Sequence, residues 1–354
     1  MKHICNAFCL LSILLVSACA MPRPGMIRDL DTLPQDAGAY HGLDADAPLL
    51  SPGLQAGMYA RFLRKHYGPW APDFQPVKED AAYWALTHYS NKEIFGQNTL
   101  KRNPEWMRMV AEEARKDAYP SMSRPCIAVT NTSMRSLPTR EPVFWDFRKP
   151  GEGFPFDYMQ NSQVLAGTPL RAEHISKSGQ WVFVESRFTF GWVPVRDIAW
   201  TDSEFMNAFN APAMIAVTRD EVPVRDIQDR FRFTANIGTV LPLAQRPDNG
   251  CFKTLIPVRD AQGNAVAVEA DICRTDAELM PLPATPRTFA KLANAMLGRP
   301  YGWGACMKTG TAPQPSWTSW PPSASTCPGI PASNITKEAS RSSRASVAPT
   351  RNGR

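Results

Sequence analysis

Cysteine and histidine are the side chains of this sequence with the most chemistry to offer, and they are distributed unevenly. The chain has eight cysteines spread over its length, whereas its five histidines all lie in the first half. A hydrolytic thiol needs a base, usually histidine, within hydrogen-bond reach. Each cysteine can therefore be judged by whether it suits nucleophilic catalysis, a disulfide or attachment of a lipid.

Cys19 is a candidate lipid acceptor. It follows Val16-Ser17-Ala18 at the end of an apolar run that basic residues precede, the pattern of a bacterial lipoprotein signal over residues 1–18. No aspartate follows the cysteine, so for a Gram-negative source we expect a lipid anchor at the periplasmic face of the outer membrane. The alternative is an ordinary secretory signal with an incidental cysteine.

Cys251 and Cys273 are a candidate disulfide in that oxidising compartment. The stretch between them is typical of a β-hairpin that turns around residues 260–264. Pairing Val258 with Val266 gives the hairpin one apolar face and places the two cysteines directly opposite each other at bridging distance. The alternative is two free thiols brought close by the register alone.

None of the other cysteines is a convincing nucleophile. Cys126 stands at the start of a strand-rich stretch, and Cys306 has neither a histidine nor a predicted helix after it. We therefore predict no catalytic residue, no metal site and no cofactor in this reading frame. His174 is expected on the exposed surface of a strand.

Capping residues predict the helices around the strand-rich part. Ser51-Pro52, Asn103-Pro104 and Thr285-Pro286 each combine a capping side chain with a first-turn proline. The last of these helices is expected over 286–297, and a further helix is expected over 78–89.

The middle of the chain is typical of short strands joined by glycine turns. Residues 126–200 and 214–273 share this sequence pattern, which predicts two small β-barrels of one type. Trp181, Trp192 and Trp200 are expected to pack within or against a barrel rather than to bind a ligand.

The composition changes after Gly304. Residues 305–354 contain no Leu, Phe or Tyr, and six basic side chains there stand against Glu338 alone, a net charge of +5. The rest of the chain carries only +1 of the total of +6, so nucleic acid is not an indicated partner. A segment of this composition is expected to be disordered.

Several long motifs resemble the NlpC-type cell-wall peptidases. Over about residues 45–304 they are, in order, FLRKHYGPW, MRSLPTREPVFWDF, GEGFPFDYMQNS, GTPLRAEHISKSGQWVFVES, GWVPVRDIAW and LGRPYGWG. The resemblance is to the lipoprotein subgroup with an N-terminal stabilising domain and two bacterial SH3 domains before a papain-like catalytic domain. It implies a cysteine endopeptidase without a cofactor that cuts γ-D-glutamyl bonds in peptidoglycan stem peptides.

The family's catalytic residues have no counterpart after the last of these motifs. In the family, YGWG is followed by RDCS, whose Cys is the nucleophile, and later by a His that acts as the base. Tyr301 matches a family tyrosine near that Cys, and the resemblance assigns it to the substrate site.

The genetic code accounts for the missing residues. If the third base of each codon is read with the first two of the next, Met307-Lys308 must give Glu and Trp317-Thr318 must give Asp. In the same frame, residues 308–313 permit Asn-Arg-Asp-Cys-Ser. We therefore expect a frameshift near codon 305, which truncates the chain at the start of its catalytic domain.

The fold predicted from these observations is multidomain, with a small α-helical N-terminal domain, two SH3-like β-barrels, a remnant of an α+β papain-like domain and a disordered tail. The expected boundaries are 1–18 for the signal, 19–50 for a linker, 51–122 for the helical domain, 123–200 and 201–283 for the SH3 domains, 284–304 for the remnant and 305–354 for the tail.

Three functional hypotheses follow. The intact gene would encode a peptidoglycan endopeptidase, and this chain is expected to be inactive because it lacks the catalytic Cys and His. Alternatively, the chain is a membrane-tethered module that binds the cell wall through its SH3 domains without catalysis. The third hypothesis is a degraded remnant with no role.

Overall fold

The computed structural model describes residues 27–40, 42, 44–248 and 250–299 of the chain. Cys19, Tyr301 and the segments expected to be a signal and a disordered tail lie outside them. The α-helices of the described part are α1 (Arg28–Thr32), α2 (Pro52–His66), α3 (Glu79–Ala82), α4 (Trp84–Tyr89), α5 (Pro104–Ala114), α6 (Ser203–Phe209) and α7 (Pro286–Ala295). Among the residues described, no helix has the length and apolar character needed to cross a membrane.

The three predicted helix caps are confirmed. The side chains of Ser51, Asn103 and Thr285 each accept a hydrogen bond from the backbone N–H three residues further on. These bonds satisfy donors that the first turn of a helix leaves free. The helix expected over 78–89 is interrupted at Tyr83, whose buried side chain donates a hydrogen bond to the Ala114 carbonyl.

Fourteen strands are described, and they form two β-rich domains. The first domain contains β1 (Arg124–Ala128), β2 (Thr132–Arg135), β3 (Gln160–Val164), β4 (Pro169–Ile175), β5 (Trp181–Glu185), β6 (Phe190–Pro194) and β7 (Ile198–Trp200). The second contains β8 (Met214–Val217), β9 (Val222–Arg225), β10 (Phe231–Ala235), β11 (Val240–Asp248), β12 (Cys251–Arg259), β13 (Ala265–Cys273) and β14 (Ala277–Leu279).

The strands pair antiparallel in three sheets. In the first domain the order is β3-β2-β6-β5-β4-β1-β7, and in the second it is β13-β12-β11-β8-β14, with β9 and β10 as a separate pair. Trp192 on β6 is fully buried, which confirms its predicted place in the core, while Trp181 and Trp200 are partly buried.

The helical region is packed against both β-domains. Trp70, which follows α2, lies in one apolar cluster with Phe205 and Phe209 of α6 and with the core of the second domain. Its indole N–H also donates to the Cys126 carbonyl at 2.9 Å, which links it to β1 of the first domain. The FLRKHYGPW motif therefore contributes to the core.

The structure differs from the expected linker over part of 19–50. The Ala37 amide donates to the Asn294 side chain of α7 at 2.8 Å, and the same Asn294 donates to Asp36 at 2.6 Å. Further on, Arg287 of α7 forms a bidentate ion pair with Asp46 at 2.7 and 2.8 Å. Asp36, Ala37 and Asp46 are thus attached to α7 by hydrogen bonds and an ion pair, because polar groups on the two segments are complementary.

Candidate functional site

The predicted hairpin register is confirmed. β12 and β13 pair with Val258 opposite Val266 and with Cys251 opposite Cys273. The two sulfur atoms lie 2.9 Å apart at the open end of the hairpin, where β12 begins and β13 ends. Formation of the covalent bond stays a prediction, and the geometry places both thiols where oxidation would join them with little movement.

The Cys251 and Cys126 thiols do not have the properties of a catalytic nucleophile. The hydrogen bond with the Cys273 thiol, together with burial, raises the pKa of Cys251 to about 11. Burial likewise raises the pKa of Cys126, which is inaccessible to solvent. A reactive cysteine needs the opposite, a thiol whose pKa is lowered by a nearby positive charge or a helix N-terminus.

His174 is not on the surface, which corrects the expectation for this residue. Its side chain is fully buried, and its Nε2 lies 3.2 and 3.1 Å from the carbonyl oxygens of Ala114 and Arg115 at the end of α5. Burial lowers the pKa of His174, so the neutral ring donates from Nε2 to these carbonyls. The residue caps a helix C-terminus and joins the helical region to β4.

No catalytic pair or metal site is formed by the described residues. None of their thiols has a hydrogen bond to an imidazole, and no group of three His, Cys, Asp or Glu side chains could hold a metal ion. His88 lies beside Lys92. Burial, and to a smaller extent the positive charge of Lys92, lowers the pKa of His88.

A buried ion pair lies at the centre of two of the quoted motifs. Arg135 of MRSLPTR and Asp157 of GEGFPFDYMQNS are 5% and 3% exposed, and Arg135 Nη1 donates to Asp157 Oδ2 at 2.6 Å.

The other hydrogen bonds of the Arg135 guanidinium go to Gln160 Oε1 at 3.0 Å, Thr139 O at 2.9 Å and Glu141 O at 3.1 Å. The second Asp157 oxygen accepts from the amides of Val143 and Met159. With every group satisfied, the pair fixes the loop between β2 and β3, a structural role.

Two carboxyl groups lie close together between the helical region and the first β-domain. Burial, and then the charge of Glu185, raises the pKa of Glu173 to about 7. Burial also raises the pKa of Glu185, whose Oε1 accepts from the Val77 amide at 2.5 Å. Glu173 Oε2 has no hydrogen-bond partner among the described residues, so its neutral form is favoured.

The described chain ends beside the second β-domain. After α7, Gly298 takes a positive φ of 74°, and Arg299 then approaches Asp220 at 3.6 Å and Glu221 at 3.4 Å. These contacts attach the residue after Gly298 to the segment between β8 and β9.

Three family models match the chain in sequence order. The N-terminal NLPC_P60 stabilising domain matches residues 8–119, an SH3 domain of SH3b1 type matches 142–194, and an SH3 domain of SH3b2 type matches 205–246. The helical region and the two β-rich, SH3-like domains of the predicted fold are thereby confirmed.

Two solved structures are similar to parts of the chain, and the first of them agrees with the family models. An NlpC/P60 endopeptidase from Photobacterium damselae subsp. piscicida is similar over 78% of this chain and 64% of its own, with 25% identity and a TM-score of 0.69. An NlpC/P60 family protein from Bacillus cereus matches over 51% of this chain and 66% of its own, with 17% identity and a TM-score of 0.37. No curated protein sequence matches the chain.

The fold therefore defines a protein with a stabilising domain followed by two SH3 domains. The chain matches, in order, the stabilising domain of NLPC_P60 proteins and two SH3 domains, and it is similar to a solved NlpC/P60 endopeptidase. It spans 64% of the length of the Photobacterium endopeptidase.

Sequence reasoning missed the polar groups buried between the domains. Glu173 and His174 follow Ala172 on β4, where the register with β5 shifts, and both side chains are fully buried. Their burial depends on contacts with the distant helical region, such as the Ala114 carbonyl, which no local pattern in the sequence indicates.

Proposed function

We propose that this chain is a cell-wall protein whose two SH3 domains bind peptidoglycan. The observation that carries the proposal is the order of the three matched domains, together with the similarity to an NlpC/P60 endopeptidase over 78% of the chain. The ligand within the wall is the peptide stem, which offers amide and carboxylate groups to a β-rich surface. A lipid on Cys19 holds the chain at the periplasmic face of the outer membrane.

In this proposal a polypeptide of these 354 residues does not cleave the stem peptide. The family reaction, hydrolysis of a γ-D-glutamyl bond, requires a thiolate, a base and a group that orients the base. The pKa values of the Cys126 and Cys251 thiols are raised, none of the described thiols is hydrogen-bonded to an imidazole, and residues 305–354 supply Cys306 and Cys327 but no histidine. Loss of a nucleophile alone lowers kcat by about four to six orders of magnitude.

A comparison of two reading frames tests the proposed inactivity. The chain as printed and a version with the frame restored after Gly304 are incubated with muropeptides that carry a free N-terminal L-Ala, and products are followed by chromatography. We expect cleavage by the restored version only. Cleavage by the printed chain that Cys306→Ala abolishes would overturn the proposal.

Wall binding has its own test. The chain is mixed with purified peptidoglycan sacculi and sedimented at about 0.15 M and 0.5 M salt, because the basic residues after 304 bind anionic polymers in a salt-dependent way. We expect retention at both salt concentrations. A chain that stays in the supernatant at high salt does not bind through its SH3 domains.

The lipid anchor is tested by fractionation. We expect the chain in the outer-membrane fraction, and the Cys19→Ser variant in the soluble periplasmic fraction. Equal membrane association of the two, or an unmodified mature N-terminus in mass spectrometry, would contradict the anchor.

A further inference from the structure

The segment before the helical region exposes a group of large apolar side chains. Leu30 of α1 is more than half exposed, and so are Ile27 and Leu33, which flank the helix on its two sides. None of these three side chains belongs to an apolar cluster within the part of the chain that the structure describes. A single exposed leucine needs no explanation, whereas a contiguous group of apolar side chains marks an interaction surface.

The three side chains share one side of α1. Residues three apart at helical spacing differ by about 60° around the helix axis, so Ile27, Leu30 and Leu33 lie within an arc of about 120°. We call these three residues the apolar face of α1. The remaining side chains of the helix are polar or charged, so the segment is amphipathic.

The apolar face is attached to the folded body of the protein. Gln35 Nε2 donates to the Leu33 carbonyl at 2.9 Å, which satisfies an acceptor at the end of the helix. Immediately afterwards, Asp36 and Ala37 are hydrogen-bonded to Asn294 of α7. A surface that contacts the apolar face is therefore linked to α7 by a few hydrogen-bonded residues.

The polar side of this segment is acidic. Over residues 27–36 one basic side chain, Arg28, stands against Asp29, Asp31 and Asp36, a net charge of −2. Negative charge beside the contact repels an anionic polymer, so a nucleic acid or an acidic wall polymer is disfavoured as the partner. The face suits a partner that is apolar and carries little net charge.

The position of the face in the sequence indicates such a partner. Ile27 follows Cys19 by eight residues, which span at most about 28 Å. A lipid on Cys19, as in the proposed function, would keep the face within that distance of a bilayer. A flexible link of this length gives an effective concentration in the millimolar range, so that a contact too weak to recruit a free protein becomes the occupied state.

We propose that the apolar face of α1 lies on the bilayer surface, with its side chains at the boundary between head groups and acyl chains. A short amphipathic helix binds there by burying its apolar side while its charged side stays in water. Because the residues after α1 are bonded to α7, the contact also sets the orientation of α7 to the membrane. The choice of a bilayer rests on the proposed lipid, whereas the exposure of the face does not.

The face is tested first without a lipid. The mature chain with Cys19→Ser is mixed with increasing amounts of vesicles made of phosphatidylcholine and phosphatidylethanolamine, and the bound fraction is measured by flotation. These vesicles carry no net charge, because the basic residues after 304 would bind anionic lipid by themselves. Three apolar side chains bind less tightly than an acyl chain, so half-binding is expected at about 1–10 mM lipid.

Variants show which residues are responsible. Leu30→Ser combined with Leu33→Ser should weaken partitioning by about tenfold or more, because two apolar side chains no longer leave water. Leu30→Ile combined with Leu33→Ile should retain it. Leu100→Ser is the matched control, since Leu100 is also more than half exposed but lies between α4 and α5, and it should change nothing.

The lipidated chain is tested second, on vesicles whose acyl chains carry bromine, which quenches tryptophan fluorescence on contact. Leu30→Trp should be quenched more than the native chain, and Thr32→Trp, on the polar side of α1, should gain much less. Mass spectrometry of the mature N-terminus first establishes that the lipid is present, so a missing lipid is not confused with a misplaced face.

The outcomes separate the alternatives. Partitioning of the Cys19→Ser chain that the double serine variant loses supports the bilayer contact, even if Cys19 proves to carry no lipid. Equal partitioning of the two, or none by either at up to about 20 mM lipid, overturns the proposal. A dimer that the double serine variant abolishes, without vesicle binding, assigns the face to a second copy of the chain and also overturns it. Equal quenching of Leu30→Trp and Thr32→Trp in the lipidated chain contradicts the proposed orientation and overturns it as well.

Discussion

Replacing Asp157 by Asn is expected to destabilise the first β-domain far more than so small a change of the side chain suggests. The amide has the shape of the carboxylate and can still accept from the amides of Val143 and Met159. Its NH₂ group, however, would face Arg135 Nη1, which now donates to Asp157 Oδ2 at 2.6 Å. The substitution therefore replaces attraction by two opposed donors and leaves a buried guanidinium without a counter-charge.

The magnitude follows from the burial of the pair. Arg135 and Asp157 are 5% and 3% exposed, so water cannot replace the lost partner. Removing one member of a buried ion pair costs about 3–5 kcal/mol. The Arg196–Asp197 pair on the same domain is the control, because Arg196 is 71% exposed and a surface pair contributes only about 0–1 kcal/mol.

Hydrogen exchange is the suitable assay, because a chain of several domains does not unfold in a single transition. Exchange of the β2 and β3 amides in Asp157→Asn should accelerate by about two to four orders of magnitude, the factor that about 3–5 kcal/mol implies. Arg196→Gln should accelerate it less than about fivefold. Similar rates in the two variants would refute the assignment of the buried pair as the element that fixes the loop between β2 and β3.

Two further predictions concern titration and oxidation. Because burial raises the folded-state pKa of Glu173 from about 4.5 to about 7, the free energy of unfolding should fall as the pH rises through that interval. Calorimetry should therefore show that Glu173→Gln is up to about 3 kcal/mol more stable than the native chain at pH 8 but not at pH 4. An equal difference at both pH values would contradict this prediction. Non-reduced digests should contain the Cys251 and Cys273 peptides joined, with a mass two hydrogen atoms below the sum of the two free peptides. Cys273→Ser should lower the free energy of unfolding by about 3 kcal/mol. Alkylation of both thiols in untreated protein would exclude the bond.

Some features of this fold were predictable from the sequence because they depend only on residues that lie close together in the chain. The hairpin register follows from the period of two along a strand and from one turn, so a single pairing of Val258 with Val266 determined all the others. The caps at Ser51 and Thr285 depend on residues within one helical turn. Such features need no knowledge of the rest of the chain.

Features that depend on distant partners were not predictable. His174 looks like a surface residue until the end of α5, 60 residues earlier, is placed against it. The polar stretch that ends in Ala37 looks like a linker until Asn294, 257 residues later, accepts its amide hydrogen bond. The same holds for Arg187, which becomes a neighbour of Phe62 only when a loop of the first β-domain packs on α2.

The attachment of Asp36 and Ala37 to α7 also sets a distance. On a chain anchored at Cys19, a linker free as far as residue 50 could span at most about 110 Å, at about 3.5 Å per residue. Because Asp36 and Ala37 bind Asn294, the span available between the lipid and the end of α7 is at most about 60 Å. If Cys19 carries the proposed lipid, the residues between Cys19 and Asp36 therefore control the height above the membrane at which α7 can lie. An insertion of ten residues there would raise that ceiling by about 35 Å, whereas lengthening the chain after residue 46 would leave it unchanged.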